Sequence, residues 1–209
     1  MNITFIFFIG LIVALIGVVP PGLLNMTAAK ISLKEGHVRG VMFSIGVCVI
    51  VIIQTYIAAI FARYLSMHPE VIDILQRVAF VIFILISIYF LFIAKSQPKQ
   101  QLQPKIRSKH SRFFQGMFLS AINVFPIPYQ AYMTITLASF GWLDFSHISI
   151  VSYVSGAVMG TFVMLYIYIF FFEKIRERSF TSQKNMNYII GGITGIIAII
   201  TLINIIKEI

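Results

Sequence analysis

Two short stretches hold the side chains whose types and spacing suit chemistry on a small solute. The first contains Pro20, Pro21, Gly22, Asn25 and Thr27; the second contains Asn123, Pro126, Pro128, Tyr129, Gln130, Tyr132 and Thr134. Both lie inside long apolar runs. Proline removes a backbone N–H, and its ring clashes with the carbonyl four residues back, so each stretch predicts a broken helix. The break frees carbonyls on one half-helix and N–H groups on the next. The N-terminal end of the second half-helix then carries partial positive charge and free donors, which suit a carboxylate. The neighbouring amides and hydroxyls donate and accept hydrogen bonds without charge. The chemistry on offer is recognition of a small anionic or zwitterionic solute. Each polar side chain also has a plainer role as glue between packed helices, and one proline kink needs no function. Two matched breaks favour a site.

Catalysis has little to work with. The acids Glu35, Glu70, Asp73, Asp144, Glu173, Glu177 and Glu208 lie in loops or at the ends of apolar runs, as do His37, His68, His110 and His147. No carboxylate is available mid-span for a proton relay of the usual kind. The histidines show no metal spacing, and Cys48 alone makes neither a thiolate cluster nor an internal disulfide. No catalytic residue, metal or cofactor is therefore expected. Glu35 with His37 is the one ionisable cluster beside a break; its readings are a gate or proton group, or a solvated loop.

The elements that must carry these stretches are membrane helices. The 209 residues are 59% hydrophobic and 11% charged, whereas a soluble domain carries about 25% charged residues. Six apolar runs, at 3–29, 40–62, 78–94, 113–140, 148–172 and 188–206, are long enough to cross a bilayer. The first lacks a basic leader region and a small-residue cleavage site, so it is expected to be retained. Lys and Arg are distributed thirteen to three in favour of one set of loops, with six in the 95–112 connector alone. By the positive-inside bias that face is cytoplasmic and both termini are outside. A re-entrant hairpin at 113–140 would put two basic loops on opposite faces, so that run crosses; whether the first run crosses fully or is partly re-entrant stays open. The net charge of +9 reports topology and contact with anionic membrane lipid, not nucleic acid.

The two halves enter the membrane from opposite sides, and their first runs match. Pro21 is followed after four residues by Met26-Thr27, and Pro128 after four by Met133-Thr134; Gly36 and Gly141 end the two segments, and Gly46 and Gly156 open the next runs. Interrupted helices at corresponding places of an inverted 3+3 repeat are a sequence signature of secondary transporters. The expected organisation is one transmembrane domain over 1–209, with repeats 1–94 and 113–209 joined by the basic connector 95–112. Gly156 with Gly160, and Gly191 with Gly195, suit close helix packing within the chain and leave a homodimer seam open. Gln54 and Tyr56 reach the same chamber if they face it. Phe170, Phe171 and Phe172 suit an aromatic belt at the membrane boundary.

Pro20-Pro21-Gly22, Asn25 and the series Gly36, Gly40, Gly46 resemble the LysE/RhtB family of bacterial amino acid exporters. That family's first span carries Pro-Gly-Pro-Asn before a similarly spaced glycine series. Gly116 with Asn123 seven residues later is similar to the family's Gly…Asn-Pro-Lys segment, and the length, six runs and basic connector match over essentially the whole chain. The order here is Pro-Pro-Gly, Asn25 stands three residues past Gly22, Pro126 falls two residues late, and no lysine follows it. The resemblance implies a multi-pass protein of the bacterial inner membrane. It implies export of amino acids or related solutes from the cytoplasm, with proton or ion coupling. The two matched breaks, not the resemblance, give the expected substrate-contacting positions: Pro21, Gly22, Asn25, Thr27, Asn123, Pro126, Pro128, Tyr129, Gln130 and Thr134. The competing classes are a non-transporting scaffold or accessory subunit, for which two matched breaks are needless strain, and a membrane enzyme acting on lipid-linked substrates, for which no span offers a catalytic set.

Overall fold

A computed structural model of the chain describes residues 2–20, 22–93 and 108–176, with scattered residues from 188 to 206. Every regular element in these residues is helical: α1 (Ile3–Val18), α2 (Leu23–Glu35), α3 (His37–Met67), α4 (Pro69–Ile88) running into a π-helical turn (Tyr89–Ile93), α5 (Lys109–Ile122), α6 (Pro126–Ser139) and α7 (His147–Arg176). They divide between two compact units, Met1–Ser66 with Gln103–Ile175, and Met67–Leu102 with Arg176–Ile209. Most of the basic connector and of the run at 188–206 lies outside the described residues.

Helices α3 and α7 carry the first unit. His37–Met67 and His147–Phe171 are each long and apolar enough to cross a membrane; at 1.5 Å per residue, α3 extends roughly 46 Å. The pair α1 and α2 supplies a third candidate span if taken as one, bent by 79° between its two pieces. The expected fourth run appears as α5 and α6, separated by three residues. Its boundaries have local causes. Ser108 caps α5 by accepting the Ser111 N–H at 3.1 Å, so the helix starts four residues before the apolar run begins. Pro126 and Pro128 both sit in the first turn of α6, where the missing N–H has no intrahelical partner to lose. Gly36 and Gly141, at φ +94° and +70°, let the chain leave α2 and α6 through backbone that other residues adopt only under strain.

The packing is closest at two glycine crossings. A Cβ on Gly10 would run into the Tyr153 carbonyl and lie 3.2 Å from the Ala157 nitrogen; one on Gly156 would meet the Phe7 carbonyl and lie 3.0 Å from the Leu11 nitrogen. These contacts join α1 to α7, with Gly160 extending the seam to Ala14. The second crossing joins α5 to α3: Gly116 faces Phe43 and Val47, and Gly46 faces Phe113 and Met117. Between lipid-bathed helices such contacts supply dispersion attraction that a hydrophobic drive cannot. Apolar side chains complete the interior. Ala28 and Ile31 of α2 pack with Phe43, Val47 and Val51 of α3 and with Leu165 and Ile169 of α7. Ala131 of α6 packs with Ala58 and Ala62 of α3. In the second unit Gly191 receives Leu91, and Ser87 Oγ donates to the Gly191 carbonyl at 2.9 Å.

Helix α7 begins on a polar anchor that precedes the candidate span His147–Phe171. Asp144 accepts from the Ser146 hydroxyl at 2.6 Å and from the Ser146 N–H at 3.1 Å, while Ser146 Oγ lies 3.0 Å from Ser149 Oγ. The Ser146 hydroxyl first, then the Ser149 hydroxyl and the Ser146 N–H, hold the Asp144 carboxyl below its ordinary value.

Gly46→Leu and Gly116→Leu should each destabilise the purified protein by about 1–3 kcal/mol through forced separation of α3 from α5. Gly192→Ala, at a helical position with nothing within 4 Å among the described residues, should leave thermal unfolding unchanged or raise it slightly, since Ala is the better helix former. Asp144 contributes stability that is complete above its unfolded pKa and disappears as pH falls through the lower folded one. The small melting difference between the native chain and Asp144→Asn should therefore close as the pH drops below about 4. A difference that grows there would assign the anchor to something other than the charged carboxylate.

Candidate functional site

At the first break, carbonyls that a continuous helix would have used are left over, and side chains serve three of them. Asn25, buried on α2, turns back and donates both amide hydrogens, to the Val18 carbonyl at 2.6 Å and the Pro20 carbonyl at 3.0 Å. Tyr168 of α7 donates its hydroxyl to the Val19 carbonyl between them at 2.8 Å, and also interacts with the Asn25 side chain. Gly22 starts α2 in extended backbone with no side-chain cap, so the first N–H groups of α2 have no side-chain acceptor.

The second break is solved from another helix. Gln54, buried in the middle of α3, donates its two amide hydrogens to the carbonyls of Ser120 and Asn123, both at 3.0 Å. Helix α6 then starts at Pro126 after Phe125, again without a side-chain cap. Among the described residues three buried polar atoms have no hydrogen-bond partner; Gln54 Oε1 and Ser120 Oγ belong to residues that meet at this break, and the third is Thr55 Oγ1. A buried unpaired donor or acceptor costs about 1–3 kcal/mol.

The other expected residues fall into place around these breaks. Tyr129 lays its ring on Gly17 and donates to the Val13 carbonyl at 2.8 Å, tying α6 to α1. Gln130 Oε1 accepts from the buried Tyr153 hydroxyl at 2.6 Å. Thr27 and Thr134 turn their hydroxyls back onto their own helices, Thr27 to Leu23 and Thr134 to Gln130 and Ala131. Tyr132 is 67% exposed and Tyr56 38%, so neither faces the interior. Pro128 is exposed and Pro126 partly buried. Pro21 lies outside the described residues.

The acid beside Gly36 is not the solvated loop residue that the sequence allows. Glu35, at the end of α2, is buried and holds Arg112, at the start of α5, through both carboxylate oxygens; the Arg112 Nε to Glu35 Oε2 distance is 2.9 Å. Arg112 also donates to Gln115, and Arg39 donates to the Glu35 carbonyl at 2.8 Å. His37 is equally engaged: its Nδ1 is 2.7 Å from Ser32 Oγ, Ser32 hydrogen-bonds the Ile169 carbonyl at 3.1 Å, and the ring stacks on Phe170. Sequence reasoning placed Arg112 among thirteen basic residues of solvated loops, and nothing in that run distinguished it. Tyr168 and Tyr153 were likewise hidden in an aromatic-rich helix.

Two grooves, of about 520 and 380 Å³, run along the outside of α7 and are lined by Phe7, Val151 and Ser155, and by Ile52, Tyr56 and Val158, among others. Neither is lined by a break residue.

Apolar helices of membrane-spanning length, with polar side chains packed between them to serve broken backbone, define an integral membrane protein. The chain belongs to the LysE type translocator family, matching it over residues 15–204. It is accordingly a membrane transporter for a small solute, and a translocator rather than an enzyme. No curated protein sequence and no solved structure matches the chain.

Gln54→Leu leaves the Asn123 carbonyl without its side-chain donor, while the Ser120 carbonyl keeps the Asn123 N–H; Tyr168→Phe does the same to the Val19 carbonyl. Each should lower stability by about 1–3 kcal/mol. Thermal unfolding in detergent reads the loss; no loss in either variant would mean that water reaches the breaks.

Proposed function

We propose that this chain is a secondary transporter that exports amino acids, or related small zwitterionic or anionic solutes, from the cytoplasm. The observation that carries the reading is the second break. Unpaired Gln54 Oε1 and Ser120 Oγ belong to residues that meet there. An ammonium suits these amide and hydroxyl oxygens, and a carboxylate suits the N–H groups at the uncapped start of α2. The proposed path is lined by Pro21, Gly22, Asn25 and Thr27 at the first break, and by Asn123, Pro126, Pro128, Tyr129, Gln130 and Thr134 at the second.

An inverted repeat of six spans supports two such breaks meeting one path, and the glycine crossings support the repeat. Gly10 is the eighth residue of α1 and Gly116 the eighth of α5; Gly156 is the tenth of α7 and Gly46 the tenth of α3. At each crossing, each glycine meets the carbonyl three residues before its partner glycine and the nitrogen one residue after it. The same crossing thus occurs twice, α1 on α7 and α5 on α3. The thirteen-to-three distribution of Lys and Arg favours a cytoplasmic position for the loops after the first, third and fifth spans, in the inner membrane of a bacterium. Proton or ion coupling drives such export, and a homodimer is compatible with it.

Cells loaded with amino acids by dipeptide feeding should release a subset of them faster when they express the protein. Ser120→Ala should reduce that release several-fold while melting temperature stays level or rises, because the hydroxyl lost has no partner among the described residues. The Pro21→Ala/Pro128→Ala variant should also lose release. Native rates of export in all of these would take the path away from the breaks.

A further inference from the structure

The Glu35–Arg112 pair is used by neither break. It stands where α2 ends and α5 begins, so it joins the two broken helices at the end remote from their breaks. Arg112 at the first turn of α5 and Asn123 at its end are roughly 16 Å apart along the axis, at 1.5 Å per residue. The pair is well enclosed: the side-chain exposures are 2% for Glu35 and 11% for Arg112. On the topology proposed above, this end faces the cytoplasm, where an exported solute enters.

A buried ion pair is weak as a source of stability, since desolvating two charges offsets most of their attraction. What this geometry does show is that Arg112 holds a carboxylate by two nitrogens, Nε and Nη2, in the fork arrangement that Arg forms with carboxylates. The carboxylate comes from a side chain next to Gly36, whose positive φ marks the joint between α2 and α3. Gln115 keeps one further guanidinium nitrogen occupied, which fixes the fork while its partner changes. The expected lysine after Pro126 is missing from this chain, and Arg112 is a buried cation available to the same helix pair.

We propose that Arg112 is an entry station for the solute's carboxylate, and that Glu35 is its built-in substitute, closing the mouth between α2 and α5 until a solute carboxylate takes its place. This rests on the export reading for the identity of the solute, but not for the existence of the carboxylate site. The exchange moves no covalent bond: one carboxylate replaces another on the same two N–H donors. An amino acid arriving at this mouth frees α2 from α5 by the contact that binds it, so opening is coupled to the presence of a solute.

Two measurements decide it. The first needs no transport. Glu35→Ala removes the carboxylate and leaves Arg112 in place, so sodium acetate should raise the melting temperature of this variant above its value in sodium chloride of equal ionic strength. A ligand that binds only the folded state stabilises it. The native protein and Arg112→Ala should show no such preference. Absence of an acetate-specific rise in Glu35→Ala overturns the site, whether or not the protein exports amino acids. The second is kinetic. With the competing carboxylate neutralised, Glu35→Gln should lower the KM for the exported amino acid several-fold; Arg112→Gln should raise it, and Arg112→Lys should raise it less. A purely structural pair would shift KM in the same direction when either partner is lost, and that result overturns the exchange. If the native chain exports no amino acid, the export reading fails while the acetate comparison still decides the carboxylate site.

Discussion

A backbone carbonyl freed at membrane depth has no water to turn to, and the placement of the helices in the first unit follows from that constraint. Where α1 ends, the carbonyls of Val18, Val19 and Pro20 turn to side chains; where α5 ends, Gln54 serves the Asn123 carbonyl and adds a second donor to that of Ser120, which also accepts the Asn123 N–H. Asn25 reaches two of them from its own chain segment, but the rest need donors from elsewhere. Tyr168 comes from α7 and Gln54 from α3. Each donor must therefore sit on a long helix pressed against the broken one, and the reach of a side chain sets how close. The glycine crossings meet that demand. Where Gly10 and Gly156 meet, and where Gly46 and Gly116 meet, backbone touches backbone, which brings α1 within reach of α7 and α5 within reach of α3.

The same constraint separates rigid from adjustable parts. Crossings made of backbone contact have one good arrangement, and any displacement loses dispersion attraction over the whole seam. Breaks closed by single side chains are different, because an amide or a hydroxyl can exchange one oxygen for another at little net cost. On the proposed reading, α1 with α7 and α3 with α5 form the frame. The beginning of α2 and the oxygens around Gln54 at the second break are then the places where a solute's polar groups enter the exchange. Thr27 and Thr134, with their hydroxyls returned to their own helices, bring no standing partner across the path, so they obstruct none of this.

How much of this was legible in the sequence depends on the kind of signal. Prolines in an apolar run announce a broken helix whatever surrounds it, so the division of α1 from α2 and of α5 from α6 could be read directly. Gly36 and Gly141 could be read as helix ends for the same local reason. Facing could not be read. Gln54 is conspicuous as an amide in the apolar middle of α3, but one residue does not reveal which neighbour it turns to, and Tyr56 two positions on turns outward. Tyr168 had no mark at all among the aromatic residues of α7. Charge was misleading at Glu35 and Arg112. A residue count assigns both to a polar rim, whereas their partnership depends on the approach of α2 and α5, 77 positions apart.

That partnership is also where stability and function give different answers. Replacing a buried pair by apolar residues of similar size is often neutral or stabilising, so folding alone gives little reason to keep Glu35 and Arg112. An apolar substitute would close the mouth as well, but it would close it against every solute equally. A carboxylate on a guanidinium closes it conditionally, because the one kind of group able to open it is another carboxylate. Lysine would not serve as well: its ammonium is a point charge without a fork, and it is more strongly hydrated. The pair thus converts a steric barrier into a chemical question put to the solute, using the same carboxylate chemistry that the uncapped start of α2 would put to it again further along the path.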